Sequence, residues 1–313
     1  MRRKSYATVL RFALAVVISV WGAALARAAE KTYTVGYSNT ADHALFDVMR
    51  KDNFQKYVEG DKSLKVVYSD ANYDNKTQLD HIDNFIMQEV DAIIVVPIDY
   101  AGISVGIKRA NRAGIPVICL GIESEGGTYT FVGSSNMDAG RMQGEYMVEK
   151  LPENAKVLYM EGTPGYYHST ERWEGFKAAC LDKRPDIKLL SSQSGEYEKD
   201  RGMKVTEDWI QAFPEFDAII AANDQMALGA MQALKTAGRL DDVLISGVDG
   251  VPDALDAIKR GNMAQSVLQN APEQGRECYE ALKKILKGES VPAKILIPFE
   301  SITIENVDEY IGK

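Results

Sequence analysis

Short, mostly apolar runs recur along the chain at 33–38, 64–69, 92–97, 117–120 and 130–133, and again at 156–160, 188–192, 218–222, 243–246 and 264–268. Runs of this length, bounded by turn residues, are the pattern of strands covered on both faces of a sheet. Between them lie stretches with apolar residues at helical spacing. The first, 45–58, places Phe46, Met49, Phe54 and Tyr57 or Val58 on one face; 74–88 does so with Leu79, Ile82, Phe85 and Ile86. Further helices are predicted at 102–113, 137–151, 170–181, 201–212, 226–236, 252–260 and 272–286, several of them closed by a glycine (114, 238, 261 and 288). The tail, 295–304, reads as extended. Strands alternating with helices predict an α/β protein built on parallel sheets. The alternation falls into two series, so two similar lobes are expected. The predicted crossings lie near 133–138, 266–270 and 297–301, the last strands being expected to return to the first lobe.

The segment 217–250, DAIIAANDQMALGAMQALKTAGRLDDVLISGVDG, is the clearest strand–helix–strand unit. Its side chains change from apolar to polar at the carboxyl end of each strand, the edge of an open parallel sheet where small ligands bind. Asn223 and Asp249 should stand side by side there, offering donors and acceptors but no evident nucleophile. Asp224 is assigned to the N-cap of the following helix.

Composition adds exclusions. The first residues carry Arg2, Arg3 and Lys4, then an apolar stretch over 12–25, then Ala26-Arg27-Ala28. That is an export signal with a small-x-small cleavage site, and its apolar run is shorter than the ~20 residues needed to span a bilayer. No cysteine follows it to carry a lipid, so a soluble, periplasmic protein is expected. The formal charge is −9; without the five positive residues of 1–28 the mature chain stands at about −14. This argues against nucleic acid or an anionic membrane as partner. Cys119, Cys180 and Cys278 are far apart and lack metal-ligand spacing, and His43, His81 and His168 do not cluster, so neither metal nor cofactor is expected. Buried free thiols are the plain reading; a Cys180–Cys278 bridge stays open.

VGYSNT, AIIVVPIDYAG, AGIPVICLG, FVGSSNMDAGRMQGEYM, STERWEGF, YEKDRGMKVTEDWI, AANDQMALGAMQAL, GVDGVPDALDAIKRG and SVLQ resemble, in this order, segments of the periplasmic sugar-binding proteins of ABC transporters of the ribose-binding type. The likeness spans the mature chain, and GSSNMDAGRMQGEYM, YEKDRGM and SVLQNAPEQG look nearest to the inositol- and rhizopine-binding branch. The resemblance implies two Rossmann-like lobes joined by a multi-strand hinge, the type I periplasmic binding protein fold. The division expected is a signal at 1–28, an N-terminal lobe of 29–135 with about 270–297, and a C-terminal lobe of 136–269 with part of 298–313. It also implies a non-enzymatic, monomeric receptor that delivers a monosaccharide or cyclitol to a membrane permease, with a chemoreceptor as a further partner.

Such a ligand needs carboxylates to accept from hydroxyls, Arg to donate in a fixed fork, Asn and Gln to do both, and flat aromatic faces. By resemblance Asp249, Asn223, Arg172 and Gln269 take the polar roles, while Tyr197 stacks on the ring or packs on the surface. From the residues alone, Asp249 could instead cap the helix at 252, Asn223 turn the chain, and Arg172 lie solvated on its helix. In the first lobe Phe46 is either a stacking face or core, Asp42 a cap or a hydroxyl acceptor, and His43 a cap or a cleft residue. Tyr166-Tyr167-His168 is either cleft wall or loop. One departure is clear. Ribose-type proteins carry Asp-Arg after the fourth strand, where this chain has Cys119-Leu120-Gly121-Ile122-Glu123. Glu123 is the candidate to take over part of that role, and with Asp42 to pair with a ligand amine; ribose itself is put in doubt. Three further readings compete. An exported glycoside hydrolase would need paired carboxylates such as Asp249 and Glu123. A transcriptional sensor would need a helix-turn-helix where the export signal stands. A receptor for a sugar-derived chemotaxis or quorum signal would share the same site.

Overall fold

The structure, a computed structural model, describes residues 31–312; the export signal read at 1–28 lies outside them. The first lobe begins β1 (Tyr33–Asn39), α1 (Leu45–Glu59), β2 (Leu64–Asp70), α2 (Asn75–Met87), β3 (Ala92–Val95), α3 (Ile103–Arg112), β4 (Val117–Leu120) and β5 (Thr130–Gly133). The chain then enters a second series: α4 (Asn136–Lys150), β6 (Lys156–Glu161), α5 (Tyr167–Phe176, continued by a π-helical turn, Lys177–Leu181), β7 (Lys188–Ser194), α6 (Lys199–Ala212), β8 (Ala218–Ala221), α7 (Asp224–Thr236), β9 (Leu244–Asp249), α8 (Pro252–Lys259) and β10 (Gln265–Leu268). It closes with α9 (Ala271–Leu286), β11 (Lys294–Leu296) and β12 (Glu300–Thr303).

Two six-stranded sheets result, ordered β11-β5-β4-β3-β1-β2 and β12-β10-β9-β8-β6-β7. The chain passes between them after β5, after β10 and between β11 and β12. The extended tail therefore splits, one strand going to each sheet. The sheets are mostly parallel, as expected; β12 runs antiparallel to β10. It arrives from the other lobe by a three-residue link, without the helical crossover that a parallel partner requires.

Each sheet is buried on both faces, which is why its strands read as apolar runs. In the first lobe Phe54 of α1 and Cys278, Ala281 and Leu282 of α9 cover one face, while Ile82, Phe85, Ile103 and Ile107 of α2 and α3 cover the other. In the second lobe α6, α7 and α8 pack on one face through Trp209, Leu228 and Ile258, and α4 and α5 on the other through Met147 and Phe176. All three thiols are free and buried, Cys180 and Cys278 in different lobes, so the bridge left open does not form.

Contact between α4 and α5 fixes the cleft wall. At Gly140 a Cβ would lie 1.8 Å from the Arg172 carbonyl oxygen, and at Gly175 one would lie 2.1 Å from that of Met137. Gly140 and Gly175, with Gly144 one turn further on, where a Cβ would lie 2.9 Å from the Phe176 carbonyl oxygen, let these helices approach so closely. Gly140→Ala is therefore expected to lower stability by about 1–3 kcal/mol through overpacking. That is opposite in sign to the gain of about 1 kcal/mol that Ala brings to an unconstrained helix; the urea midpoint of the unliganded protein measures it.

Candidate functional site

The carboxyl ends of both sheets point into one cavity of about 190 Å³ between the lobes. For scale, a cavity of roughly 150 Å³ holds a benzene ring. Thr40, Phe46, Asp47, Arg50, Gly121 and Ile122 line it from the first lobe, and Tyr166, His168, Arg172, Tyr197, Asn223 and Asp249 from the second. Asn136 and Gln269 line it where the chain crosses between lobes.

Arg172, on α5, is 5% exposed. Its Nε donates to Asn136 Oδ1 at 3.0 Å and its Nη1 to the Ala222 carbonyl. The same Nη1 stands 3.9 Å from Asp249 Oδ1. Asp249 is 6% exposed, and its carboxylate takes no hydrogen bond from any described residue. Burial pushes this carboxyl up from its ordinary range, against the pull of Arg172. Its φ of 127° is one that L residues rarely adopt. The turn is held by Asp224, which accepts from the amides of Gly250 at 2.8 Å and Val251 at 3.0 Å and from the Ser266 hydroxyl. The cap is Asn223, whose Oδ1 accepts from the Met226 amide at 3.0 Å while its Nδ2 donates to the Tyr197 carbonyl. The assignment of Asp224 to the cap is thus corrected: Asn223 caps α7 and Asp224 ties down the tip of β9.

Six of the eight residues singled out line the cavity: Phe46, Arg172, Tyr197, Asn223, Asp249 and Gln269. One face of the Tyr197 ring is taken by His168, centroids 5.2 Å apart and 16° from coplanar. Asp42 and Glu123 stay outside. Asp42 is paired with Lys51 at 2.7 Å and held by Asn39, and Glu123 is paired with Lys294 at 2.7 Å. Each carboxylate found a lysine closer than the cavity. Of the carboxylates weighed for a ligand amine or a hydrolytic pair, Asp249 lines the cavity, and Asp42 and Glu123 do not. His43 reaches the rim, packed edge-on against Tyr73.

Sequence reasoning missed Asp47, Arg50 and Asn136. Arg50 follows Phe46 by four residues and precedes Phe54 by four, so an Arg within an apolar stripe was the available signal. At the side of the cavity, Tyr100 from the loop after β3 stacks on Tyr167 at the start of α5, centroids 4.3 Å apart. This contact joins the two lobes directly.

The profile of the periplasmic binding protein domain matches residues 36–290. The chain belongs to the periplasmic binding protein family. Within that family a Rhizobium meliloti protein named for rhizopine binding is 33% identical over 304 residues, covering 95% of this chain and 98% of its own. The ribose import binding protein of Bacillus subtilis is 33% identical over 272 residues, 87% of each chain. Among solved structures, an ABC transporter solute binding protein from Bacillus halodurans with bound myo-inositol superposes with a TM-score of 0.86 at 31% identity, covering 90% of this chain and 98% of that one. The fold and an extracytoplasmic setting follow from family membership. Among the described residues no helix is long and apolar enough to cross a membrane.

Within this family site His168 has a marked electrostatic setting. Enclosure in the cleft, then the charges of Arg172 and Arg50, push its pKa down from 6.5 to about 3. Between those values the unfolded chain binds a proton that the folded one refuses, so stability falls as pH drops from about 6.5 toward 3. His168→Phe is expected to lose less melting temperature than the wild type between pH 7 and pH 5, measured without ligand.

Proposed function

We propose that this chain is a periplasmic receptor, exported by a cleavable signal at 1–28, that binds a monosaccharide or cyclitol between its lobes and delivers it to an ABC permease. It acts as a monomer and performs no catalysis. The observation that carries the reading is Asp249: a buried carboxylate, held at an unfavourable φ, facing a cavity with no protein hydrogen bond to its oxygens. Leaving such a group unsatisfied costs on the order of 1–3 kcal/mol or more. The hydroxyls of a polyol supply the missing donors, and the neighbouring guanidinium of Arg172 supplies a donor to their oxygens. Asn223 and Gln269 add mixed donors and acceptors. Phe46 adds an apolar face for ring C–H groups. Ligand contacts to both lobes exist together only when the lobes are closed, so the ligand shifts the population toward the closed form. That form is what a permease can distinguish from the empty receptor. A receptor feeding chemotaxis would use the same closure.

A calorimetric screen over pentoses, hexoses, inositols and amino-cyclitols is expected to give one saturable class of ligand with Kd around micromolar, about −8 kcal/mol. No binding by any of them would overturn the reading. With the best ligand, Asp249→Asn is expected to weaken binding about 10- to 100-fold, the worth of hydrogen bonds to a charged acceptor. Tyr100→Ala removes the stack on Tyr167, worth about 0.5–1.5 kcal/mol. It is expected to weaken binding several-fold while leaving the melting temperature of the empty protein unchanged.

A further inference from the structure

Arg50 is the second guanidinium buried in the cleft, 3% exposed and facing Arg172 from the opposite lobe. Two of its nitrogens are committed: Nε donates to Gln274 Oε1 at 2.9 Å and Nη1 to Asp47 Oδ1 at 3.1 Å. Gln274 in turn donates to Ser134 Oγ, in the segment that crosses from β5 to α4. The remaining nitrogen, Nη2, and the remaining oxygen of Asp47, Oδ2, have no hydrogen-bond partner among the described residues. Asp47 is 16% exposed at its side chain, and both residues line the cavity. The chain makes room for this arrangement at the tip of β4. Gly121 has a φ of 81°, and a Cβ there would lie 2.5 Å from Arg50 Cζ. The guanidinium occupies the space into which a side chain from β4 would project.

We propose that Asp47 and Arg50 form a ligand-reading pair, one free acceptor beside one free donor, that takes a vicinal diol at the first-lobe edge of the cavity and so sets which polyol fits. It is the counterpart of Asp249 and Arg172 on the second lobe. Adjacent hydroxyls on a ring can donate to one carboxylate oxygen and accept from one guanidinium nitrogen. The two pairs together carry no formal net charge, so the cavity selects an uncharged ring with diols on opposite edges. An acid or an amine would leave one charge buried without compensation. The selected class is a neutral cyclitol or pyranose. This deepens the receptor reading above and rests on it.

The test uses the mature wild-type protein, Asp47→Asn, Arg50→Met and Gly121→Ala, each titrated calorimetrically with myo-inositol, scyllo-inositol, D-allose and D-ribose, and each melted without ligand. Wild-type binding to none of the four would overturn the receptor reading and this inference with it. Given wild-type binding, Asp47→Asn is expected to weaken the best ligand at least tenfold and to change the ratio of affinities between the best and second-best ligand, with the unliganded melting temperature held. Gly121→Ala, which forces the guanidinium aside, is expected to shift the same ratio. Unchanged affinities in Asp47→Asn and Arg50→Met, or equal losses for every ligand, would overturn the pair's role while leaving the receptor reading intact. Should Arg50→Met fail to fold, the near-isosteric Asp47→Asn decides alone.

Discussion

Two guanidinium groups, Arg50 and Arg172, are held out of water on opposite walls of one cavity, and each has to be hydrogen-bonded and neutralised where it stands. Much of the local architecture meets that demand. Arg172 is fixed by Asn136 and the Ala222 carbonyl, and Arg50 by Gln274 and Asp47. Three of these partners belong to segments beside the crossings between lobes or to a strand tip. The charges that face the cavity are therefore tied largely to the segments that cross between the two sheets. Neither arginine is fully spent on the protein.

Rigid positioning comes from backbone features rather than from side-chain packing alone. Asp249 keeps its positive φ because Asp224 and Ser266 over-determine the turn around Gly250. Strain of this kind persists only where the surroundings enforce it, and it concentrates at sites of function. Glycines act in the same sense: Gly140 and Gly175 bring α4 and α5 close enough to set Arg172, and Gly121 vacates the tip of β4. In each place the absence of a Cβ is what puts a charged group in reach of the cavity.

The lobes are not joined by the crossings alone. Tyr100 and Tyr167 stack across the gap, and His168 and Tyr197 stack within the second-lobe wall. The first is a small contact that exists only with the lobes together. A receptor must close with ligand and reopen without it, so the direct contacts between lobes have to remain weak beside those that the ligand itself supplies.

The chain's own pattern determined much of this. Alternating apolar runs and helical stripes place β1 to β10 and α1 to α9 to within a few residues, because burial on both faces of a parallel sheet leaves an unmistakable apolar signature; the extended tail did not show its division into β11 and β12. The same logic picked out Asn223 and Asp249, since polar residues that end a buried strand sit on the ligand edge whatever the rest of the fold does; Gln269 came from the family resemblance. Tertiary structure decided the remainder. Asp42 and Glu123 are polar loop residues as suitable as any, yet nearby lysines capture them. Arg50 carries only the faint local mark of an Arg within an apolar stripe and Asp47 none, and the Arg50 guanidinium finds room at the cavity because Gly121, far along the chain, yields its space. Strand position is a short-range property of hydrophobicity. Which charge meets which across a cleft depends on distances between residues the sequence does not bring together.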